Sequence, residues 1–259
     1  MDIYECFYKS YDKEERICAK LDHYLEIYNE LYKDIRNKKI TFLEIGIKLG
    51  GSIKMWKNYF PKMEHFIGID IDPECKKFSD KNTEILIGDQ SDKIFLSDID
   101  KELDIVLDDG GHQFRQQINS FLVLFKKLKE NSIYIIEDTH SSYDNYSNIY
   151  PKDNVYGGGR HKKGTTIEFF KNLSDEITAW SFIKEHGTAP IGKAKSDSWL
   201  DFLENNNLEI EEMDYFRENI FSITFYDSII AIKKKKKRMP FVIFNDNKGE
   251  KFIYHDKKK

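Results

Sequence analysis

The 259-residue sequence has little of what marks secreted, zinc-binding or membrane-embedded proteins. It contains three cysteines, Cys6, Cys18 and Cys75. An odd number without a CxxC pair argues against a disulfide framework and against a zinc site. No run approaches the roughly 20 apolar residues of a membrane-spanning helix, and the first residues lack the basic and then apolar pattern of a signal peptide. We therefore expect a cytoplasmic protein without a membrane partner.

An excess of positive charge is also missing. The formal net charge is −4 and the isoelectric point about 6.0, so nucleic acid is not expected as a partner. One basic run, Lys233 to Arg238, is more typical of a solvated strand end than of an anion-binding surface. Hydrophobic residues make up 40% of the chain, which is enough for one large α/β domain with a sizeable core.

Short apolar runs, each typical of a buried β-strand, alternate with segments of helical length. Such alternation predicts parallel strands joined by right-handed crossovers. Two further strands, over 220–226 and 228–233, are separated by a tight turn and are predicted to be antiparallel. The five earlier runs are Ile40 to Gly46, Phe66 to Asp70, Ile85 to Gly88, Leu103 to Leu107 and Ile133 to Ile136.

The segments around these strands have patterns of their own. Apolar residues at three- and four-residue spacing predict a helix over 12–37. Residues 139–165 are rich in Ser, Tyr, Asn and Gly, which is typical of a lid or binding loop or else of a disordered segment. Helical patterns return at 165–180 and 196–206, and a small hairpin is predicted near the C-terminus. We expect a helical extension at 1–38, a main domain at 39–236 and a tail at 237–259.

Glycine or acidic residues end the first three strands. Gly46 ends the first, before a helix that begins near Ser52, and allows the backbone to approach a ligand. Asp70 ends the second, roughly 20 residues later, where an acid can accept hydrogen bonds from a ribose. Asp89, after the third, could accept from an adenine amino group. Each aspartate alone is more typical of a helix cap, as Asp72 is, but three such strand ends in order favour a nucleotide-like cofactor.

Two acidic clusters follow the fourth and fifth strands. The first runs from Asp108 to His112 and the second is Glu137 with Asp138. Because neighbouring parallel strands end at the same edge, these carboxylates should converge, and a hard divalent cation relieves their repulsion. The adjacent Asp108 and Asp109 leave the strand in different directions, so both are not expected to bind the ion.

The run from Glu44 to Asp138 resembles the class I S-adenosylmethionine-dependent methyltransferases. That resemblance implies a Rossmann-like α/β fold, with a seven-stranded, mostly parallel sheet, helices on both faces and an antiparallel last strand. The stretches Leu107 to His112 and Ile136 to His140 narrow it to metal-dependent sugar O-methyltransferases of the macrolide-sugar and capsular-heptose types. The S-adenosylmethionine site that it implies comprises Glu44, Gly46, Ser52, Asp70, Gly88, Asp89, Gln90 and Asp108.

The resemblance also implies a magnesium ion and a base. Asp109, Glu137 and Asp138 would hold Mg²⁺. Catechol methyltransferases place a metal aspartate five positions after the aspartate that opens the strand, and counting from Asp104 gives Asp109. His112 stands where those enzymes carry a lysine base and is the first candidate for removing the hydroxyl proton.

The second candidate base is His186, because related sugar enzymes use a histidine from the C-terminal part. A helix-start role for His112 and a surface role for His186 are the alternatives. His140 and His161 are more typical of surface residues. Tyr143, Tyr146, Tyr150 and Tyr156 of the long loop could stack on a ligand or anchor the loop. The neighbouring Arg160, Lys162 and Lys163 could pair with phosphates or form a solvated turn.

These features predict Mg²⁺-assisted methylation of a sugar hydroxyl. A chain rich in Lys, Asn and Ile suits an AT-rich bacterium, which together with the resemblance favours a nucleotide-linked (GDP) heptose of capsular or surface polysaccharide biosynthesis. The acceptor would be a small sugar or nucleotide sugar, and a homo-oligomer is left open. The alternatives are a non-catalytic cofactor-binding structural subunit, a methyltransferase for a small natural-product scaffold, and an NAD(P) enzyme, whose GxGxxG motif is missing.

Overall fold

The computed structural model describes residues 1–11, 16–143, 157–181, 210–243 and 251–253. The helix predicted at 196–206, the loop tyrosines Tyr146, Tyr150 and Tyr156, and His186 lie outside these ranges. Within the described residues, no helix is long and apolar enough to cross a membrane.

The main sheet confirms the predicted α/β architecture. Its strands, in chain order, are β1 Ile40–Ile45, β2 Met63–Asp70, β3 Thr83–Ile87, β4 Leu103–Asp108, β5 Leu128–Ile136, β6 Ile220–Phe225 and β7 Ile230–Lys234. They lie side by side in the order β3-β2-β1-β4-β5-β7-β6. Strands β1 to β5 are parallel, and β7 pairs antiparallel with both β5 and β6. A separate pair, β8 Phe241–Ile243 and β9 Lys251–Ile253, is antiparallel, in the region where a hairpin is predicted.

Helices cover both faces of this sheet. They are α1 Ile3–Tyr8, α2 Asp22–Tyr32, α3 Gly51–Tyr59, α4 Lys93–Ser97, α5 Phe114–Lys127, α6 Thr166–Thr178 and α7 Ile210–Asn219, with 3₁₀ turns at Pro73–Phe78 and Thr139–Ser142. Alternate strand residues face opposite cores, as the pleat requires. In β4, Val106 packs with the aromatic core of α5, α6 and α7, whereas Ile105 and Leu107 pack with Tyr28 and Trp56 of α2 and α3.

The helix predicted over 12–37 is wrong in its extent. The observed helix α2 begins at Asp22 and ends at Tyr32, and residues 16–21 are not helical. The periodic apolar residues of α2 are buried, as expected, but the preceding segment runs across the edge of the sheet. Its Ile17 and Leu21 are 54% and 47% exposed. Tertiary contacts of this segment, given below, outweigh a weak helical preference.

The basic run also departs from a solvated strand end at Lys234 and at Lys237, whose Nζ donates to the carbonyl oxygen of Ile177 at 3.0 Å. The side chain of Lys234 is buried, and its Nζ donates to the carbonyl oxygens of Phe125, Lys126 and Leu128 at 3.3, 3.2 and 2.5 Å. These carbonyl groups belong to the last turn and the C-cap of α5. Carbonyl groups at the C-terminal end of a helix lack the amide of a following turn and need other donors. Lys234 therefore stabilises a helix terminus.

Candidate active site

A cavity of about 510 Å³ opens at the carboxyl ends of β1 and β4, where the strand order reverses. Ligands of open α/β sheets bind at such a switch point. The cavity brings together most of the residues expected to bind cofactor and four residues of the first acidic cluster, Asp109 to His112. Among its lining residues are Gly46, Ser52, Asp70, Gly88, Asp89, Gln90, Asp109 and His112.

The turn after β1 has room only for glycine. Gly46 has a φ of +85°, and a Cβ built on it would lie 1.9 Å from the carbonyl oxygen of Asp109. The amide of Asp109 in turn donates to the carbonyl oxygen of Ile45 at 3.0 Å. The cofactor turn and the first acidic cluster therefore touch through their backbones.

Asp70 stands at the end of β2 and forms part of the cavity wall. Its carboxylate accepts from the backbone amides of Lys48, at 2.8 Å, and Asp72, at 3.0 Å. Asp72 caps the following 3₁₀ turn by accepting from the amide of Glu74, as its sequence predicts. The two amides fix the orientation of the Asp70 carboxylate, whose remaining lone pairs can accept from a ribose diol.

Glu44 lies behind the cavity wall, fully buried on β1. It accepts hydrogen bonds from Ser52 Oγ at 2.8 Å and Trp56 Nε1 at 3.2 Å. Burial raises the pKa of Glu44 to about 7, although the nearby Lys20 ammonium opposes the rise. Glu44 reaches the cavity through Ser52, which lines it.

Asp108 is also fully buried, on the face opposite to Glu44. Its carboxylate accepts from Gln90 Nε2 at 2.9 Å and from the hydroxyl of Ser120. Burial raises the pKa of Asp108, and these two donors act against that rise. Gln90 lines the cavity and accepts from the amide of Gly111 at 2.7 Å. Asp108 thus supports the cavity through Gln90 and does not line it.

The two acidic clusters meet at one edge of the sheet, which we call the acidic edge. Solvent reaches three of its side chains, those of Asp109, His112 and Asp138. Each offers a ligand atom, and these atoms lie within 4.8 Å of one another. Asp138 has a φ of +52° and accepts from the hydroxyl of Tyr24 at 2.6 Å. Burial and this hydrogen bond raise the pKa of Tyr24, so its hydroxyl stays a donor. His112 Nε2 lies 3.3 Å from Asp138 Oδ2.

Glu137 is placed differently from its neighbour. Its side chain is 2% exposed, and it contacts the ammonium of Lys20 at 2.7 Å and the hydroxyl of Tyr28. Burial and the charge of Asp109 raise the pKa of Glu137, against the opposing effect of Lys20. Glu137 is not part of the cluster formed by the other three residues.

Lys20 is the residue that sequence reasoning missed. Its Nζ lies 2.5 Å from Asp109 Oδ2 and 2.7 Å from Glu137 Oε1, with the side chain 2% exposed. Burial lowers the pKa of Lys20, but Asp109 and Glu137 more than compensate and hold it well above its ordinary value. A lone lysine between apolar residues carried no signal. The four-residue spacing of Tyr24 and Tyr28 could have placed both hydroxyls on the site-facing side of α2.

Other expected residues lie at the margin of the site or outside it. His140 Nδ1 is 3.8 Å from Asp138 Oδ1. Tyr143 is 50% exposed and shares a smaller cavity with His140. Arg160 and Lys163 are exposed in the turn before α6. Cys18 lines the main cavity, but burial raises the pKa of its thiol to about 12, so it is no nucleophile.

The donor set fits the magnesium ion that the sequence resemblance implies. The carboxylates at this edge are the hard oxygen ligands that Mg²⁺ prefers, and Asp109 and Asp138 are 21% and 25% exposed. Asp138 is oriented by Tyr24, in the way that metal-binding carboxylates are usually held by surrounding hydrogen bonds. The Oε1 oxygen of Glu137, the third expected ligand, already accepts from Lys20 and Tyr28.

A comparison of the sequence with curated proteins finds O-methyltransferases. Mycinamicin VI 2''-O-methyltransferase of Micromonospora griseorubida is 29% identical over 184 residues, which are 67% of this chain and 42% of that protein. L-olivosyl-oleandolide 3-O-methyltransferase of Streptomyces antibioticus is 32% identical over 161 residues, 58% of this chain and 40% of that protein. The chain thus matches about two fifths of the length of these curated relatives. No family model matches it.

Solved structures agree on the fold. The MycE methyltransferase of the mycinamycin pathway, solved with Mg and SAH, has a TM-score of 0.70 at 24% identity, over 95% of this chain and 57% of that one. Its complex with Mg, SAH and mycinamycin VI has a TM-score of 0.66, also at 24% identity, over 91% of this chain and 55% of that one.

The chain has the Rossmann-like fold of the class I methyltransferases. The resemblance to the S-adenosylmethionine-dependent sugar O-methyltransferases that its motifs indicate is confirmed by the curated relatives.

Proposed function

We propose that this chain transfers the methyl group of S-adenosylmethionine to a sugar hydroxyl with the help of Mg²⁺. One observation carries the proposal. A single cavity is lined by Asp70 and Gln90, from the ends of β2 and β3, and by Asp109 and His112 of the first acidic cluster. A cofactor bound against Asp70 would therefore present its methyl group toward the acidic edge. The relatives that methylate sugars of natural products support the same reaction.

The cofactor half of the reaction depends on positioning. Gly46 lets the ligand approach the β1 turn, and Asp70 can accept from the ribose hydroxyls. Gln90, held by Asp108, can contact the adenine end. Holding the sulfonium in line with the acceptor oxygen supplies much of the rate enhancement in such a two-substrate transfer.

The acceptor half depends on the acidic edge. Bound Mg²⁺ would orient vicinal hydroxyls and stabilise alkoxide character. Asp109 and Asp138 are the accessible carboxylates that would hold it, with Glu137 as the further expected ligand. His112 would remove the hydroxyl proton. Its Nε2 lies 3.3 Å from Asp138 Oδ2 and is the ring nitrogen at the acidic edge, whereas its Nδ1 is buried without a hydrogen-bond partner among the described residues.

For the acceptor, we keep the nucleotide-linked heptose of surface polysaccharide biosynthesis as the specific hypothesis. Its support is the resemblance to capsular-heptose methyltransferases together with the basic residues Arg160, Lys162 and Lys163, which could meet a diphosphate. The curated relatives act on sugars already attached to natural products. A glycosylated natural product is therefore the second candidate.

The deciding experiment is incubation with labelled S-adenosylmethionine and two acceptor panels, one of nucleotide sugars and one of glycosylated macrolides and aromatic polyketides. Mass spectrometry should show a gain of one methyl group on a sugar ring. Methylation only in the second panel would reject the heptose hypothesis. A non-catalytic cofactor-binding subunit would bind S-adenosylhomocysteine and methylate neither panel, whereas an NAD(P) enzyme would be stabilised by NAD in a thermal-shift assay.

A further inference from the structure

Lys20 fills the space between two of the three carboxylates expected to bind metal. Its Nζ contacts Asp109 Oδ2 at 2.5 Å and Glu137 Oε1 at 2.7 Å. Metal–oxygen distances for Mg²⁺ are about 2.1 Å, so an ion held by these same oxygens would need the volume that the ammonium occupies. Two cations that bridge the same two oxygens would lie side by side and repel each other, so the metal ion and the ammonium compete for this position.

The segment that carries Lys20 also forms part of the cofactor cavity. Ile17, Cys18, Ala19 and Lys20 all line it. Beneath them, Gly51 at the start of α3 is in such close contact that an added Cβ would lie 2.3 Å from the carbonyl carbon of Ile17. The position of this segment is therefore tied to the cavity on one side and to the acidic edge on the other.

This segment has few other attachments. Within the part of the chain that the structure describes, residues 17–20 make no backbone–backbone hydrogen bond. Ile17 and Ala19 are exposed, whereas Cys18 packs against the core on the α2 and α3 side and Arg16 lies over the ring of Phe78. The two ionic contacts of Lys20 attach the segment to the acidic edge, and a competing cation would remove both.

We infer that Lys20 is a displaceable cation, which a divalent metal ion must replace at Asp109 and Glu137, and that metal binding thereby releases residues 16–21 from the cofactor cavity. The ammonium keeps the carboxylates together before the metal arrives. The inference rests on the metal site of the proposed function, but it concerns binding and not turnover. Its consequence is that metal occupancy and access to the cofactor cavity are coupled.

The test is Mn²⁺ affinity, measured by the loss of the free-ion electron paramagnetic resonance signal, without cofactor or acceptor. Lys20→Met keeps much of the side-chain volume and removes the competing charge, so Mn²⁺ should bind at least about tenfold more tightly, as removal of a bound competitor requires. Lys20→Arg should stay close to wild type. Lys39→Met is the matched control, because Lys39 is 75% exposed and pairs with Glu64 away from the site.

Two further measurements test the same inference without a substitution of Lys20. Gly51→Ala should push the backbone of Ile17 and Cys18 away from α3 and also tighten Mn²⁺ binding, whereas helix α3 tolerates alanine well. In the wild-type protein, alkylation of the Cys18 thiol, which is largely buried at the cavity, should become faster when Mn²⁺ is added. Both keep the inference testable if Lys20→Met does not fold.

The inference is overturned if folded Lys20→Met binds Mn²⁺ no more tightly than wild type, if Gly51→Ala binds it no more tightly, or if Mn²⁺ slows the alkylation of Cys18. Absence of Mn²⁺ binding by wild type and by every variant would instead reject the metal site of the proposed function. Equal Mn²⁺ binding by wild type and Lys20→Met would reject the competition between Lys20 and the metal ion, but it would leave the metal site of the proposed function in place.

Discussion

The carboxylates of Asp108 and Asp109 lie on opposite sides of the sheet, although the two residues are adjacent in the chain. Asp108 accepts from Gln90 and Ser120 in the core on the α5 side. Asp109 contacts Lys20, which reaches it from the segment before α2. The pleat of β4 therefore gives one carboxylate a structural environment and the other an accessible one, and the two should respond differently to substitution.

Removal of the Asp109 carboxylate should abolish metal binding and turnover. We expect Asp109→Ala to lose at least about 100-fold in kcat, because a metal-oriented hydroxyl would be lost. S-adenosylhomocysteine affinity, measured by calorimetry, should stay within about threefold, as the side chains of Asp70 and Gln90 are held by groups other than the Asp109 carboxylate. Asp100→Ala, at an exposed site, is the charge-matched control. Full wild-type activity in the presence of EDTA would contradict the metal role.

Substitution of Asp108 should weaken the fold. Asp108→Asn turns one acceptor of a fully buried group into a donor that faces Gln90 and Ser120. An unsatisfied buried hydrogen bond costs about 1–3 kcal/mol, so the free energy of unfolding in urea should fall by that amount. The exposed Asp98→Asn should change little. Mn²⁺ affinity should persist in Asp108→Asn, and its loss would show that Asp108 is a ligand.

The pH dependence of stability should contain a contribution from Glu44. Its pKa is raised from 4.5 to about 7 in the fold, so the native state binds more protons than the unfolded state across that window. The stabilising contribution is complete below pH 4.5 and is lost as the pH rises through 7. The loss amounts to about 3 kcal/mol, from about 1.4 kcal/mol per pKa unit.

Glu44→Gln remains uncharged and should lack this loss. The difference in unfolding free energy between wild type and Glu44→Gln should therefore shift in favour of the variant as the pH rises. Urea unfolding at several pH values measures it, and the exposed Glu84→Gln serves as control. Parallel pH profiles for wild type and Glu44→Gln would disprove the raised pKa.

Loss of the candidate base should affect the chemical step. We expect His112→Ala to lower kcat by about 10²–10⁴-fold, the usual contribution of a positioned general base. His65→Ala, at an exposed position on β2, should keep wild-type kcat. A decrease in kcat of less than tenfold would show that His112 is not the general base. His186 is then the next candidate, and His186→Ala tests it in the same assay.

Much of the fold follows from local pattern. Each buried run between Ile40 and Ile136 is short and flanked by turn residues, and its neighbours have helical periodicity, so the positions of the strands and their parallel direction could be predicted. The antiparallel pair around Asp227 was predictable for the same reason. The N-terminal boundary was not, because apolar spacing alone cannot tell a helix from a segment that contacts the sheet edge. Residues 16–21 illustrate this.

The candidate site could also be predicted only in part from the sequence. Strand ends in a parallel sheet meet at one edge, so the placement of Asp70, Asp109 and Asp138 along one edge follows from their positions in the sequence. Their individual environments do not. Glu44 and Asp108 lie buried behind the cavity, and Glu137 is paired with Lys20, because which face a side chain takes depends on the helices packed there.

The sequence by itself determined the sheet, the cofactor-type strand ends and the presence of two converging acidic clusters, since these depend on residue type and on spacing along the chain. Only the tertiary structure decided how the carboxylates differ. The contact of Lys20 with Asp109 and Glu137 joins residues 89 and 117 positions apart in the chain. No local pattern encodes such a pair, because a buried charge finds its partner through the packing of the whole fold.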